Sequence, residues 1–300
     1  MRDEKSVGVI YAVAAYTLWG ILPIYWKLIN SVFSIEILSD RIVWAFVFTV
    51  VIVAVTKQWE ELKGIAKDKK QMFYIFIASI LIAVNWGLYI WAVNSDRIVD
   101  SSLGYYINPL FAVALGVLIF KEKLSYWQGI ALFIASIGVI IKTLQYGKIP
   151  WISLGLAISF GLYGAIKKSV RANSIVGLTL ETTMLTPLAA AYIASREISG
   201  LGAFGREGAV VIILLIGSGI VTAIPLLLFA SGAKRLPMSV IGFTQYISPT
   251  ISLIIGIFMY NESFTTVDMV AFGFIWAALA IYSFSQMSFS KSLKSREQPS

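Results

Sequence analysis

The chain has 300 residues, of which 58% are hydrophobic and only 13% are charged. Soluble globular chains are roughly half apolar and about one quarter charged, so this chain has too few polar side chains to cover a water-exposed surface. A soluble enzyme, a disordered protein and a nucleic-acid-binding protein are therefore excluded. The net charge is +8, and there is no cysteine and no histidine. The absence of these two residue types excludes disulfides, thiol chemistry, histidine metal ligands and histidine proton shuttles.

Ten apolar stretches along the chain have lengths that suit membrane-spanning helices. A hydrocarbon core of about 30 Å needs about 20 apolar residues in a helix. The first stretch is too long for a signal peptide and lacks a small-residue cleavage site, so it is predicted to remain as a span. The connections are short and leave no room for a soluble domain. The predicted spans are 7–28, 33–56, 72–93, 101–120, 126–143, 151–168, 175–194, 209–231, 237–260 and 265–286.

The positive charges are distributed unequally between the two sides of this topology. Of the 24 Lys and Arg residues, 17 lie on the side of the N-terminus, 6 lie on the other side and Arg41 lies within a span. Lys and Arg concentrate in cytoplasmic loops of membrane proteins. The pattern predicts a multi-pass protein of the plasma membrane with both termini cytoplasmic. The excess positive charge then reflects the orientation of the protein in the membrane. The lipid bilayer is an expected partner, and nucleic acid is not.

The sequence also contains a weak internal repeat. Tyr106–Pro109 reads Tyr-Ile-Asn-Pro, and Tyr246–Pro249 reads Tyr-Ile-Ser-Pro at an offset of 140 residues. A second match joins Leu18–Gly20 to Leu162–Gly164 at an offset of 144. The common order and nearly constant offset indicate a duplicated unit.

Duplication of a unit with an odd number of spans inverts the second copy in the membrane. We therefore predict an all-α integral membrane fold of ten transmembrane helices, arranged as two inverted five-helix repeats around a central cavity. The predicted units are residues 1–145 and 146–287, followed by a polar cytoplasmic tail at 288–300, which is predicted to be disordered. Inverted repeats of this kind are common in secondary transporters, where the substrate binds between the halves near the midplane. A duplication that only builds a stable bundle is the alternative.

Polar and aromatic side chains within the spans are candidates for the cavity wall. Proline frees a backbone carbonyl one turn earlier, and matched proline-interrupted spans in two halves point to a binding site. Aromatic rings would form walls for planar or apolar-bodied substrates, although an interfacial belt or simple packing is an alternative for each of them. The candidates are Trp19, Asn85, Trp86, Tyr89, Tyr106, Asn108, Tyr163, Gln245, Tyr246 and Ser248.

Four ionisable residues lie inside predicted spans. Glu36 and Asp40 are four residues apart, so both carboxylates share one helix face, and Arg41 lies about 10 Å inside the span. Glu181, near the start of the seventh span, mirrors Glu36. Intramembrane charge often marks function, so gating or coupling is one interpretation of Glu36, Asp40, Arg41 and Glu181. Structural pairing, with Arg41 snorkelling to the interface, is the other.

Charged residues at the ends of the spans are given structural roles. Glu122 and Glu262 occupy equivalent positions in connecting turns, and each is predicted to cap the helix that follows it. Lys167 and Lys168 end the sixth span. They are predicted to anchor it by snorkelling to the cytoplasmic interface.

Several motifs resemble the RarD-type permeases of the EamA family, in the drug/metabolite transporter superfamily. The resemblance covers about residues 6–286. It implies ten helices in two inverted repeats and efflux or exchange of small metabolites or drugs. Relatives often carry a histidine at the position of Asp40, so a role for that histidine does not carry over unchanged. The motifs are Trp19-Gly20-Ile21-Leu22-Pro23, Asp40-Arg41-Ile42-Val43-Trp44, Asn85-Trp86, Tyr105-Tyr106-Ile107-Asn108-Pro109, Glu122-Lys123-Leu124, Ser159-Phe160-Gly161-Leu162-Tyr163-Gly164, Glu181-Thr182, Thr222-Ala223-Ile224-Pro225-Leu226 and Tyr246-Ile247-Ser248-Pro249.

The sequence thus predicts a secondary transporter of small molecules that works by alternating access. It has no Walker A motif, so transport is expected to draw on a gradient of the substrate itself, of a counter-substrate or of protons, and facilitated diffusion and exchange both stay open. No cofactor and no metal site are predicted, because histidine clusters and paired metal-binding carboxylates are missing from the sequence. An integral-membrane enzyme and a passive channel are the rival interpretations.

Overall fold

The computed structural model of the chain describes residues 2–94, 98–147, 151–260 and 265–296, and over these ranges all regular secondary structure is helical. Thirteen helices are present among the described residues. Their bounds are α1 (Arg2–Lys27), α2 (Ser34–Val55), α3 (Trp59–Lys67), α4 (Lys69–Asn94), α5 (Ile98–Leu118), α6 (Tyr126–Tyr146), α7 (Trp151–Ser169), α8 (Ser174–Ile198), α9 (Ala203–Arg206), α10 (Ala209–Arg235), α11 (Met238–Gln245), α12 (Ile247–Tyr260) and α13 (Thr266–Arg296).

Each of the ten predicted spans coincides with helix over its described residues. Seven segments of the described chain are long and apolar enough to cross a membrane, and Ile107–Leu118 and Met269–Tyr282 are shorter apolar helices. The protein is therefore an all-helical, multi-pass membrane protein, and the count of ten spans stays a prediction. The seven segments are Glu4–Lys27, Ser34–Val55, Lys69–Tyr89, Tyr126–Gln145, Ser174–Arg206, Ala209–Arg235 and Met238–Met259.

Two boundaries differ from the predicted ones. The ninth predicted span consists of two helices, because α11 ends at Gln245 and α12 begins at Ile247, just before Pro249. Proline has no N–H to donate to the preceding turn, which explains a break at this place. The polar tail, predicted to be disordered, instead extends α13 as helix as far as Arg296.

Local capping explains where several helices begin and end. Ser125 and Gln128 form a reciprocal capping box at the start of α6, and Gly147 ends that helix in the left-handed region at φ +66°. Asn173 caps α8 by accepting the N–H of Val176 at 2.9 Å. These caps satisfy backbone groups that a helix end leaves without a partner.

The helices pack in a connected bundle. Helix α1 packs against α10 and α12, α2 against α8 and α10, and α4 against α7 and α8. Helix α5 packs against α7 and α11, and α6 packs against α13. Large apolar side chains such as Phe73, Phe133, Ile213 and Phe258 are exposed on the outside. Such a surface would promote aggregation in water, but it suits contact with lipid tails.

Glycines allow some helices to approach very closely. A Cβ on Gly219 of α10 would lie 2.2 Å from the backbone carbon of Trp44 in α2. A Cβ on Gly242 of α11 would lie 2.6 Å from the carbonyl oxygen of Pro109 in α5. Small residues at helix contacts are the usual means of close packing in membranes. The contact at Gly20 of α1 is of the same kind, since a Cβ there would lie 2.7 Å from Ile251 Cβ in α12.

We expect Gly219→Ala to destabilise the protein, because the added methyl group meets backbone rather than a movable side chain. Overpacking of this kind costs typically about 1–3 kcal/mol. Gly273→Ala in α13 is the matched control, since no atom lies within 4 Å of its new Cβ. Thermal unfolding in detergent measures both variants. An equal melting temperature for Gly219→Ala and wild type would contradict the close α2–α10 contact.

Candidate functional site

A cavity of about 340 Å³ lies among eight of the described helices. Side chains from α1, α2, α4, α5, α7, α10, α11 and α12 contribute to its wall, so both halves of the chain form it. Eight of the residues predicted from the sequence line this cavity: Trp19, Arg41, Asn85, Trp86, Tyr89, Asn108, Gln245 and Ser248.

Three predicted cavity residues are not placed in its wall. Tyr163 is completely buried and donates its hydroxyl to Glu181 Oε2 at 3.1 Å. Tyr246 is buried in an apolar cluster with Phe272 and Ile275, away from the cavity. The helical turn carries each ring to the packed side of its helix. The side chain of Tyr106 lies outside the described residues.

Sequence reasoning missed several lining residues. They are Tyr16, Trp26, Tyr105, Phe160, Thr222 and Ser252 among the polar and aromatic ones. Trp26 and Tyr105 lie near helix ends, where aromatic residues are ordinarily interpreted as interface anchors. Helical spacing would have indicated three of them. Tyr16 lies three residues before Trp19 and Trp26 lies seven residues after it, all on α1, and Ser252 lies four residues after Ser248 on α12, so each shares a helix face with a predicted residue.

Arg41 is the positively charged residue of the cavity wall. Its Nε donates to Thr222 Oγ1 at 3.0 Å. Its guanidinium carbon lies 4.5 Å from the ring centre of Trp26 and 5.0 Å from that of Trp86. Among the described side chains, no carboxylate lies within 4.0 Å of Arg41. The planar cation is thus held by two indole faces and one hydroxyl, an arrangement that suits cation–π attraction.

The amide side chains of the wall differ in how fully they are bonded. Asn85 Nδ2 donates to the Leu156 carbonyl at 3.0 Å and to Ser159 Oγ at 2.9 Å, which ties α4 to α7. Asn108 is 3% exposed, and its Oδ1 has no hydrogen-bond partner among the described residues. The same is true of the Tyr16 hydroxyl, in a side chain that is 1% exposed. Buried polar atoms normally have partners, so these two are the polar atoms of the wall that the described residues leave unsatisfied.

A layer of aromatic rings closes the cavity towards the end of the bundle at which α1 begins. Phe229 lies 5.7 Å from Trp19, 5.4 Å from Phe160 and 6.2 Å from Tyr16, measured between ring centres. The ring of Tyr163 stacks on Phe229 at 6.2 Å, one layer further from the cavity. Tilted and edge-on pairs of this kind are favourable ring geometries.

A buried ion pair lies beyond this aromatic layer. Lys167 Nζ is 2.7 Å from Glu181 Oε1, and both side chains are almost completely buried. The prediction that Lys167 snorkels to the interface is therefore wrong, because its ammonium points inward to Glu181. Glu181 also accepts from Tyr163, so each of its oxygens has a partner. The pair joins α7 to α8 within the second half.

Glu36 joins the two halves at the opposite end of the bundle. Its Oε1 accepts the N–H of Ala203 at 2.6 Å, and its Oε2 lies 3.6 Å from Arg196 Nε. Nearby, Ser31 Oγ donates to Glu207 Oε2 at 3.1 Å. The connection between α1 and α2 is thereby fastened to the connection between α8 and α10. Glu36 lies outside the central cavity and is fully engaged in this fastening.

Glu122 joins the halves at the end where α1 begins. It accepts the N–H groups of Met238 at 2.7 Å and Ser239 at 3.1 Å, together with the Ser239 hydroxyl at 2.9 Å. Lys168 Nζ lies 3.2 Å away, so this lysine is not a free interfacial anchor. The predicted cap of the following helix is corrected: Glu122 caps α11, and Ser125 caps α6. Glu262 lies outside the described residues.

The position of Glu122 affects its ionisation. Burial opposes the charged form, but the N–H groups of Ser239 and Met238, the Ser239 hydroxyl and the Lys168 ammonium outweigh it. Together they hold the pKa of Glu122 below its ordinary value of 4.5. The carboxylate is thus charged at neutral pH and stabilises the positive end of α11.

Asp40 has no comparable partners. Its side chain is completely buried in α2, where the indole of Trp44, one turn along the same helix, is a donor beside it, although neither carboxylate oxygen reaches hydrogen-bond geometry with a described residue. Although Asp40 precedes Arg41 directly, no ion pair joins the two. An unpaired charged carboxylate in an apolar interior is costly. Asp40 is therefore the intramembrane carboxylate of this site that structural pairing does not explain.

The comparisons with known proteins agree on the family. Residues 6–144 match the EamA-like transporter family. An uncharacterized transporter of Bacillus subtilis strain 168, YojE, is 46% identical over 97% of this chain and 98% of its own length. Protein RarD of Escherichia coli K12 is 40% identical over 93% of this chain and 95% of its own. The chloramphenicol-sensitive protein RarD of Pseudomonas aeruginosa PAO1 is 25% identical over 91% and 92%, respectively.

A solved crystal structure supports the same fold. It superposes with a TM-score of 0.71 over 92% of this chain and 97% of its own chain. The two sequences are 14% identical, so the likeness concerns the fold alone.

We expect Glu181→Gln to destabilise the protein strongly, because it leaves the Lys167 charge buried without a counter-ion. Breaking a buried pair in this way costs about 3–5 kcal/mol. The double variant Lys167→Met/Glu181→Leu should recover most of that loss. Glu60→Gln removes an exposed carboxylate and is the control. Unfolding in detergent is the measurement, and a Glu181→Gln variant as stable as wild type would exclude a structural ion pair.

We expect Glu122→Gln to lower the melting temperature at neutral pH. Because folding lowers the pKa of Glu122, its stabilising contribution is present above the unfolded-state value near 4.5 and is lost as the pH falls through the lower folded-state value. The difference between wild type and Glu122→Gln should therefore shrink in acid. A difference that keeps its full size throughout the acid range would contradict the charged cap of α11.

Proposed function

Because the chain belongs to the EamA-like transporter family, as a RarD-type permease, we propose that it carries small metabolites or drugs by alternating access of its central cavity. The observation that carries this proposal is the cavity itself, whose wall contains residues of both halves of the chain. The family and the names of the relatives indicate a transporter rather than an enzyme.

The helix contacts support two halves with inverted topology. We take α1, α2, α4, α5 and α6 as the first half, and α7, α8, α10, α11–α12 and α13 as the second. Exchanging the halves turns the α1–α10 contact into α7–α4, α1–α12 into α7–α5, and α2–α10 into α8–α4, all of which are present. The contacts α2–α8, α5–α11 and α6–α13 map onto themselves. This pattern is expected from a two-fold axis in the membrane plane.

In this proposal residues 1–145 and 146–287 move as two units of five spans each. Two inverted copies give two nearly equivalent packings, each open to one side. The fastenings at Glu36 and Glu122 join the halves at opposite ends. Each would have to open in turn while the other holds, so that the cavity communicates with one side at a time. A passive channel would instead need both ends open together.

The membrane orientation follows from the distribution of positive charge. The 17 to 6 excess of Lys and Arg supports a cytoplasmic location for both termini. The end closed by the aromatic layer and Glu122 is then the cytoplasmic one. We propose a location in the plasma membrane, with efflux or exchange as the direction of transport. The name of the Pseudomonas relative refers to chloramphenicol, a drug, which fits a small organic substrate.

The energy source in this proposal is a gradient of protons or of a counter-substrate. Asp40 is the better proton carrier of the two carboxylates in α2, because Glu36 is already bonded to Ala203 and Arg196. A buried carboxylate without partners is the type of group that changes its charge during a transport cycle.

Transport is tested by comparing metabolites inside and outside cells that lack or overproduce the protein, followed by reconstitution of the purified protein in liposomes. We expect a small organic compound to move faster than in protein-free liposomes. Gln245→Ala should slow this movement at least about tenfold, since binding groups in such a cavity are few. Lys63→Gln, an exposed change on α3, is the control. If no compound of a broad panel binds or moves, the transporter proposal fails.

Coupling is tested by imposing a pH gradient on the same liposomes. We expect the gradient to accelerate transport by wild type and Glu36→Gln, and to have no effect on Asp40→Asn. A separate melting curve should show that Glu36→Gln is the less stable variant, because Glu36 fastens the α9 connection. An undiminished response in Asp40→Asn would remove Asp40 from the coupling mechanism.

A further inference from the structure

We propose that the cavity selects small organic anions with a planar apolar body, and that the anionic group binds the Arg41 guanidinium. This inference rests on the proposed transport function and adds the substrate class to it. The positive charge of the cavity wall indicates an anionic substrate. Arg41 is the one charged residue among the cavity-lining residues that the structure describes.

The guanidinium of Arg41 is held in place but is not neutralised. Thr222 occupies its Nε, and the rings of Trp26 and Trp86 lie against it. Its two terminal nitrogens make no hydrogen bond to a described residue. A guanidinium offers paired parallel donors that match a carboxylate or phosphate edge. The free edge of Arg41 is thus a built site for such a group.

Burial makes an anionic partner worth far more here than at a surface. A cation at this depth in a membrane protein is costly unless it is paired or faces a polar cavity. The nearest carboxylate in sequence, Asp40, does not pair with Arg41. Thr222 accepts from Arg41 and carries no charge. A bound anion would therefore neutralise the charge of Arg41, which no described side chain neutralises.

Two further polar groups of the wall point to the same ligand. Tyr16 and Asn108 line the cavity, and each side chain is more than nine-tenths buried. Neither Tyr16 Oη nor Asn108 Oδ1 has a hydrogen-bond partner among the described residues. The Tyr16 phenol can donate to an anion, whereas Asn108 Oδ1 is an acceptor that suits a hydroxyl or N–H group of the substrate. With Arg41 the wall therefore offers two donors and one acceptor. A small acid that also carries a hydroxyl or N–H group would satisfy all three.

The remaining wall indicates the shape of the ligand. Trp19, Trp86, Phe160 and Tyr105 contribute aromatic surface from four helices. A cavity of about 340 Å³ is at the small end of the range for organic ligand sites. An inorganic anion would leave these faces without contacts, whereas an aromatic ring would stack against them. The cavity thus fits a small aromatic acid better than a bare phosphate or a large drug.

The test uses three probes that share one ring and chain but differ in charge: 3-phenylpropionate, 3-phenylpropionamide and 3-phenylpropylamine. Binding to purified wild-type protein is followed by the fluorescence of its tryptophans, because Trp26 and Trp86 flank Arg41. Uptake into liposomes is followed by mass spectrometry, with protein-free liposomes subtracted. The comparison requires no mutation, so it stays decisive even if a variant fails to fold.

We expect the carboxylate to bind and enter at least about tenfold better than the amide or the amine, which corresponds to a charge-assisted hydrogen bond. Arg41→Gln should abolish this preference, and Arg41→Lys should restore part of it as a point charge. Arg171→Gln removes the same charge at an exposed position and should leave the preference unchanged.

The outcomes separate this inference from the proposed function. If the amide or the amine binds and moves as well as the carboxylate, the anion site is excluded and transport stands. If only neutral or cationic compounds of the broad panel move, the anion site is likewise excluded and the transport function stands. If Arg41→Gln keeps the wild-type preference, Arg41 is excluded as the anion-binding group. If no compound moves at all, the proposed function fails as well.

Discussion

A lipid bilayer offers no hydrogen-bond partners, so a polar group within it must be satisfied by the protein itself. Most of the charged groups in this bundle obey that constraint through long-range contacts. Glu181 is bonded to Lys167 and Tyr163, Glu36 to the start of α9, and Glu122 to the start of α11. Because Glu36 and Glu122 belong to the first half and their partners to the second, meeting the constraint also joins the halves, once at each end.

Two neighbouring residues of α2 do not meet the constraint with the described side chains. Asp40 has no hydrogen-bond partner, and Arg41 has no counter-ion. An unsatisfied charge lowers stability, so its presence in the middle of a tightly packed bundle points to function. Arg41 faces the cavity and Asp40 lies buried behind it. In our proposal a substrate completes the site at Arg41 and a proton completes the site at Asp40, so binding and coupling would lie side by side on one helix.

The sequence predicted local features better than contacts between distant residues. Apolar stretches predicted where the long helices lie, seven of which are long and apolar enough to cross a membrane, and the proline-interrupted motifs led to Asn108, Gln245 and Ser248 in the cavity wall. Which face of a helix a ring occupies depends on its neighbours, so Tyr163 was assigned to the cavity although it packs against Glu181. The backbone partners of Glu122, Met238 and Ser239, lie more than a hundred residues away, and no local pattern indicates such a pair.

Alternation of the two halves around the cavity, as proposed, would change the distances between them, and electron spin resonance measures such distances. The sequence contains no cysteine, so spin labels go only where cysteines are introduced. One pair, at Lys123 and Arg171, spans the halves near Glu122, and another, at Asn30 and Arg206, spans them near Glu36. When a transported probe is added, one distance should lengthen while the other shortens. Distances that both stay unchanged, or that both lengthen together, would contradict alternating access.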